Sequence, residues 1–409
     1  MNRDLSAAKA AKQDEFYTQY VDIQKEVEAY LELDPDTFRG KVVYCNCDDP
    51  FESHFFKYFA ANFNRLGLKK LVTTSYDGSP IAGAQLTFFE YDEDNGKRQK
   101  PKAIAVEIEE VKDFDRNGAT GIEDVKLFLE QNPHNRTPLA EGGDFRSPEC
   151  ISLLKEADVV VTNPPFSLFR EYMAQLVEHD KKFLIIGNVQ AITYKEIFPL
   201  IEADKLWMGV TIHSGDREFR VPDHYPLNAA GWRVDENGVK YIRVKGVRWY
   251  TNLDHGRRHE QLKLMSMADN LRYNKKLEGR AYPRYDNYDA IEVPFTDAIP
   301  SDYDGVMGVP ITFLDKYNPE QFEILGATQR GCHDLVPDTR KYDEYWEVRQ
   351  DGSKTGSSGG KTNENANILG NDGRRNYFIN SEGRIIQSAY QRIFIRHRRR
   401  ARPRRGTKK

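Results

Sequence analysis

The chain has 409 residues, with 60 Lys and Arg against 63 Asp and Glu and a formal net charge of −3. That balance hides a split: Gly383 to Lys409 carries 11 basic and no acidic residues, leaving 49 basic against 63 acidic before it, a net of −14. An acidic body with a basic tail points to a polyanionic partner, the plainer alternative being a solvated charge block. Hydrophobic residues at 39% and aromatics at 12% exclude global disorder, and no run of about 20 apolar residues is present to span a membrane.

In chain order, Met1 to Gln13 lacks the apolar segment of a secretory signal. The first thirty or so residues then read as helix, with Val21, Ile23, Val27, Tyr30 and Leu31 as its apolar face, interrupted by Phe16-Tyr17-Thr18. Lys41 to Asn46 is a short buried strand ending in Asp48-Asp49-Pro50, a helix follows from about Glu52 to Leu66, and a second strand, Lys70 to Thr74, ends at Ser75-Tyr76-Asp77-Gly78. Cys45 and Cys47 read as buried strand cysteines rather than a metal pair, and the four cysteines are too scattered for a disulfide framework. No metal site is expected, and the chain is read as soluble and cytoplasmic.

From Ala84 to Val111 two alternating stretches flank Asn95-Gly96, which reads as an inserted hairpin. Strands over Asp158–Thr162 and Lys182–Gly187, with a helix from Leu168 to His179 between them, complete an α/β pattern of parallel strands. Ligands of such sheets sit beyond the carboxyl ends of the strands, so Asp48, Asp77, Asp144 and Asn163 are expected to share one cleft. After Trp207 the chain becomes strand-rich, with a hairpin turning at Asn237-Gly238, a flexible loop over 351–373 and a last strand at Arg392–Arg396.

The sharpest local feature is Asn163-Pro164-Pro165-Phe166, directly after the strand that ends at Thr162. Two successive prolines fix φ and remove two N–H donors, giving a rigid extended turn with outward carbonyls. The Asn163 amide oxygen and the Pro164 carbonyl form an acceptor pair that fits a planar exocyclic amino group, and Phe166 is placed to lie on the ring that bears it. Adenine N6, cytosine N4, guanine N2 and a glutamine amide all qualify. The bland alternative, a proline-rich turn and nothing more, loses weight because a buried strand precedes it and other strand ends are acidic.

This motif resembles that of amino-methyltransferases that use S-adenosylmethionine, particularly the N6-adenine DNA enzymes. Asp14-Glu15-Phe16-Tyr17-Thr18 looks like the segment these enzymes place over the methionine part of the cofactor. Tyr44 to Pro50 takes the position of the first cofactor strand, and Glu141-Gly142-Gly143-Asp144-Phe145 looks like the Asp-Phe pair that meets the cofactor adenine. Arg248-Trp249-Tyr250-Thr251-Asn252-Leu253 resembles a segment of the EcoRI-type adenine-specific modification methyltransferases. The ordered set spans most of Asp14 to Leu253. The chain departs from the pattern at the first cofactor strand, where Cys45, Cys47 and Pro50 replace the usual glycine-rich turn.

The resemblance implies a Rossmann-like methyltransferase sheet over residues 1–206 with the hairpin at 84–111 inserted, a strand-rich target-recognition region over 207–395, and a basic disordered tail over 396–409. It implies cofactor contacts from Phe16, Tyr17, Thr18, Cys45, Asp48, Asp77, Asp144 and Phe145, with Asp77 on the ribose hydroxyls and Asp144 and Phe145 bracketing the adenine. A core aromatic at Phe16, a helix cap at Asp48 and a turn former at Asp77 are the structural alternatives. Lys240 to Arg284 holds 12 basic against 4 acidic residues with aromatics interleaved. It is the expected contact with double-stranded DNA, through Arg248, Trp249, Asn252, Arg257, Arg258, Lys275 and Lys276. The expected function is site-specific N6-adenine DNA methylation in restriction–modification or phage DNA protection, with a cognate restriction endonuclease as a candidate companion. An rRNA guanine-N2 methyltransferase and a non-catalytic nucleic-acid-binding protein are the alternatives.

Overall fold

Val42-Val43-Tyr44-Cys45 and Val159-Val160-Val161-Thr162 are buried at every residue, as strands covered on both faces must be, and they lie side by side. The computed structural model describes residues 18–47, 53–75, 103–114, 124, 127, 131, 135–213, 216–221, 231–277, 281–328, 340 and 342–398. Two units result, Met1–Ala191 with Leu206–Gly256 and Ile192–Lys205 with Arg257–Lys409.

The first unit contains β1 (Val42–Cys45), β2 (Lys70–Thr74), β3 (Ile104–Ile108), β4 (Arg136–Pro138), β5 (Val159–Thr162), β6 (Lys182–Asn188), β7 (Trp207–Met208), β8 (Asp216–Arg220), β9 (Arg233–Val234), β10 (Lys240–Lys245) and β11 (Val247–Thr251). Eight of these make one mixed sheet in the order β4-β3-β2-β1-β5-β6-β11-β7. The central four, β2, β1, β5 and β6, are parallel, while β3, β4, β11 and β7 run antiparallel to their neighbours. Tyr44 lies opposite both Val72 and Val160, so Asn46, Thr74 and Thr162 close three adjacent strands at one level.

Two expectations about this sheet need correction. The stretch read as the second half of an inserted hairpin is β3, an integral strand paired with β2 through Thr73 and Val106; residues 84–102 lie outside the described residues. The boundary expected at residue 206 falls instead at 256, because β11 pairs along its whole length with β6 and supplies Trp249 to the core. β8, β10 and β9 form a small antiparallel sheet of their own, turning at Gly238 as expected.

Helices cover the sheet through short apolar repeats. α1 (Tyr20–Leu31) buries Ile23, Val27 and Tyr30, while Val21, expected on the same face, is half exposed. The expected helix after β1 is two, α2 (His54–Ala61) and α3 (Phe63–Leu66), opened by the Ser53 hydroxyl accepting from the N–H groups of Phe55 and Phe56 and closed by Gly67 in the left-handed region. α4 (Pro148–Glu156) is capped by Ser147. α5 (Phe169–Glu178) buries Phe169, Tyr172, Met173 and Leu176, the i, i+3, i+4, i+7 pattern of a one-sided helix. Gly187 in β6 lets this helix approach, since a β-carbon there would sit 2.5 Å from the Phe169 ring.

α1 is fixed to the far edge of the sheet by a buried carboxylate. Glu26 Oε1 accepts from Val210 N (2.7 Å) and the Tyr30 hydroxyl (3.0 Å), and Oε2 from Thr211 N (2.8 Å) and the Thr211 hydroxyl (2.6 Å). Burial pushes this carboxyl above the usual carboxylate range, and the four donors offset part of that rise. A β-carbon at Gly209 would lie 2.2 Å from Oε1, so only glycine admits the clamp.

The second unit carries α6 (Phe198–Glu202), α7 (Met267–Tyr273) and two sheets. Its strands are β12 (Ala290–Glu292), β13 (Val306–Pro310), β14 (Phe322–Ala327), β15 (Trp346–Val348), β16 (Lys354–Ser358), β17 (Asn367–Leu369), β18 (Tyr377–Ile379), β19 (Ile385–Ser388) and β20 (Arg392–His397). They pair as β12-β13-β20-β14 and β16-β15-β18-β19-β17. The expected flexible loop over 351–373 is therefore corrected: it supplies β16 and β17, an edge strand at each side of the five-stranded sheet. The tail cannot begin at 396 either, since Arg396 pairs with Glu323 (2.8 Å) within β20 and the Arg398 side chain donates to the Pro319 carbonyl (2.6 Å). Among the described residues, no helix is long and apolar enough to cross a membrane.

Substitutions at two positions test this fold. Each Glu26 oxygen accepts from one backbone N–H, so no orientation of a glutamine satisfies both; Glu26→Gln is expected to lose about 1–3 kcal/mol in a urea titration. An unchanged midpoint would show that the clamp does not stabilise the fold. Cys47, just past β1, has φ 62°, a region costly for any residue with a β-carbon. Cys47→Gly is expected to keep or raise stability by up to about 1 kcal/mol, and Cys47→Val to lower it by about 1–2 kcal/mol. The reverse order would show that the thiol, not the backbone, governs this turn.

Candidate active site

Three strand ends meet at one residue. Asn46 follows β1 and is 1% exposed. Its Oδ1 accepts from Cys47 N (2.8 Å) and the Thr74 hydroxyl (2.9 Å), and its backbone carbonyl accepts from the Thr162 hydroxyl. The Thr74 hydroxyl, having given its proton to Asn46, takes one from Tyr44 (3.0 Å). Burial raises the Tyr44 phenol well above its ordinary range, so it stays a neutral donor. The chain from Tyr44 through Thr74 and Asn46 to Thr162 spans β1, β2 and β5 directly beneath the turn that starts at Asn163. Asn46 is not among the candidates that the sequence singles out; an asparagine closing a buried strand, able to bond its own backbone, is the available signal.

The turn itself follows β5 as expected. Pro164 is buried, while Asn163, Pro165 and Phe166 are half-buried, and both peptide bonds into proline are trans. Pro165 ends in extended backbone and its carbonyl accepts from Leu168 N (2.9 Å), which starts the short 3-10 turn Phe166–Leu168 leading into α5. Phe166 rests against the core of the first unit.

Asp144 and Phe145 reach the same end of α5. Gly142 and Gly143, both with φ near +70°, turn the chain before them. The Asp144 carboxylate accepts from Arg146 N (2.9 Å) and pairs with its guanidinium (2.7 Å), which also pairs with Glu171 in the first turn of α5 (3.0 Å). Phe145 is buried edge-on against Tyr172 at 5.1 Å between ring centroids. Thr18 is buried too, and its carbonyl contacts Nδ1 of His54 at 2.6 Å, bringing the N-terminal segment to the helix that follows the β1 turn. The Thr18 hydroxyl and Nδ2 of Asn46 are buried polar atoms with no hydrogen-bond partner among the described residues. Phe16, Tyr17, Asp48 and Asp77 lie outside the described residues.

Several expected contacts have other jobs. Cys45 is fully buried, its side chain packed among the apolar residues of the core. Trp249 is 1% exposed and packs edge-on against Phe55, which corrects its assignment to a DNA surface. Arg248 is buried as well, donating to the carbonyls of Val247 and His213. Asn252 ties β11 to β6, accepting from Phe183 N (2.8 Å) and donating to the Lys181 carbonyl (2.9 Å). In the second unit Arg258 is buried and paired with Asp204 (2.6 Å), so its charge is spent within the protein. Arg257 lines a cavity of about 320 Å³ with Glu260, Lys263, Asp297 and Lys316. Lys275 and Lys276 are exposed, Lys276 beside Asp297 at 2.6 Å. Among the described residues no group of three or more His, Cys, Asp or Glu is arranged to hold a metal ion.

Comparison with known proteins agrees with the residues. The family described as "Adenine-specific methyltransferase EcoRI" matches over residues 4–398. The chain is 47% identical over 332 residues to the Type II methyltransferase M.EcoRI of Escherichia coli, covering 79% of this chain and 89% of that protein. It is 37% identical over 347 residues to the Type II methyltransferase M.MpnI of Mycoplasma pneumoniae, covering 83% and 90%. The Type II methyltransferase M.MgeORF184P of Mycoplasma genitalium is 36% identical over 348 residues, covering 85% and 92%. No solved structure matches the chain. With nearly its whole length matched and an Asn-Pro-Pro-Phe turn at the head of its site, the chain belongs to the EcoRI family of adenine-specific methyltransferases.

Proposed function

We propose that this protein methylates N6 of an adenine flipped out of a specific double-stranded DNA site, with S-adenosylmethionine as methyl donor, in restriction–modification or phage DNA protection. The observation that carries the reading is the rigid trans Asn163–Phe166 turn at the carboxyl end of β5, beside the turn after β1. The fit to the donor rests on the buried Thr18 hydroxyl, which the described residues leave unused, and on Asp144, whose carboxylate pairs with Arg146 at the same end of α5. Phe16, Tyr17, Thr18, Asp48, Asp77, Asp144 and Phe145 are the residues proposed to hold it.

When bound, S-adenosylmethionine supplies an already activated methyl group. The protein's part is then positioning and electrostatics rather than strong base catalysis. In this reading Asn163 Oδ1 and the Pro164 carbonyl accept the two N6 hydrogens, which holds the amine and raises electron density on nitrogen. Pro165 keeps the pair from relaxing, since its fixed φ removes one backbone freedom. Phe166 stacks on the flipped base, worth about 1–3 kcal/mol, against an unstacking cost of a few kcal/mol. On the second unit, Arg257, Lys275 and Lys276 are the candidate phosphate contacts, and the basic residues beyond 398 add affinity without sequence preference.

Asn163→Ala is expected to abolish methyl transfer to DNA while leaving S-adenosylhomocysteine binding measurable by calorimetry; full activity in the variant would defeat the assignment. Removing 399–409 is expected to weaken DNA binding with the methylated sequence unchanged. The plot of log affinity against log salt is expected to flatten by ~0.9 in slope for each phosphate that the tail neutralises. A changed methylome in a host expressing the truncated protein would place recognition in the tail.

A further inference from the structure

The strand-end network leaves one donor unused. Asn46 is 1% exposed, and its amide orientation is set by the Cys47 N–H, which needs the oxygen, not the nitrogen, at 2.8 Å. The Thr74 hydroxyl adds a second proton to the same oxygen at 2.9 Å. That leaves Nδ2, carrying two hydrogens, buried without an acceptor among the described residues. Buried donors in this state are rare in native proteins and call for a reason. Here the location supplies one. Asn46 stands past the last paired residue of β1, where ligands of parallel sheets approach, and the chain beneath it is apolar strand.

We infer that Asn46 is a cofactor-binding residue: its Nδ2 donates to an oxygen acceptor, carboxylate or ribose hydroxyl, of the methyl donor. The inference rests on the S-adenosylmethionine reading above and adds a contact that reading does not contain. It also gives the network a purpose. The same residue that meets the donor holds Thr162 through its carbonyl, and Thr162 is bonded directly to Asn163. Donor and acceptor turns are thereby hung from one buried residue, the first through its side chain and the second through its backbone carbonyl.

The test reads binding rather than turnover. In wild-type protein labelled with 13C and 15N, the side-chain amide peaks of Asn46, assigned by through-bond correlation to its own backbone, are expected to shift on saturation with S-adenosylhomocysteine. Calorimetry with the same probe is expected to show at least a tenfold weaker Kd for Asn46→Asp, which keeps the accepting oxygen but turns the donor into an acceptor. Thr74→Val, which loosens the network while leaving the donor in place, is expected to bind within about threefold of wild type. Unmoved Asn46 peaks under saturation overturn the proposal, and they decide it even if Asn46→Asp does not fold. Equal losses in Asn46→Asp and Thr74→Val overturn it too, assigning Asn46 a structural role only. Failure of the wild type to bind S-adenosylhomocysteine sinks the methyl-donor reading itself, a result the other outcomes cannot mimic.

Discussion

Parallel pairing at the centre of the sheet is the constraint on which the site depends. Four parallel strands send their carboxyl ends to one edge, and the register of β1 with β2 and β5 brings three of those ends to a common level. Antiparallel neighbours would have scattered the same turns to opposite edges. Once the ends are level, short side chains suffice to join them, and Tyr44, Thr74, Asn46 and Thr162 do so without a charge. A neutral network suits this place: ion pairs taken from water carry a desolvation cost that hydroxyls and one amide avoid.

The antiparallel flanks serve a different end. β11 returns along β6 and brings in β7, after which Val210 and Thr211 present two N–H groups to Glu26. A carboxylate buried in this way is costly, and its four donors offset part of that cost. The reward is placement: α1 is held against the sheet, and the chain entering it passes Thr18 beside His54 at the start of α2. Thr18, the described end of the segment that resembles a cofactor cover, thus leads into a helix anchored by a contact more than 180 residues away in sequence.

Much of the first unit is legible in the sequence because its signals are local. Uninterrupted apolar runs such as Val159–Thr162 mark strands buried on both faces, and Gly67 or Pro148 marks a helix end. The Asn163–Phe166 turn is legible because two prolines leave little conformational choice. What is not legible depends on pairing at a distance. β3 reads as half of a hairpin from its own alternation, and only its ladder with β2 makes it part of the main sheet. Residues 351–373 are rich in Gly, Ser and Asn and read as linker, yet β16 and β17 find partners in β15 and β19. Asn46 is overshadowed by its acidic neighbour Asp48, since nothing in sequence tells which residue will join three strands.

The same limit governs charge. Counted along the chain, Lys240 to Arg284 is a strongly basic block with aromatic residues between, the composition of a nucleic-acid surface. Folding divides it. Lys240, Arg243 and Lys245 stand on β10 in the first unit, Arg248 is sealed in β11, and Arg258 is neutralised by Asp204. Trp249 and Tyr250 are core rather than surface. What remains in the second unit among the described residues is Arg257, Lys263, Arg272, Lys275, Lys276 and Arg284, the last paired with Asp289, and two of these line a cavity that Glu260 and Asp297 share. On the proposal that these residues meet DNA, acidic groups among the lysines would restrain purely electrostatic attraction and favour contacts that depend on geometry, since a phosphate approaching them must be placed to avoid the carboxylates. A site-specific enzyme benefits from that restraint. Under the same proposal, indiscriminate affinity would fall to a wholly basic segment and discrimination to a surface where both signs are present.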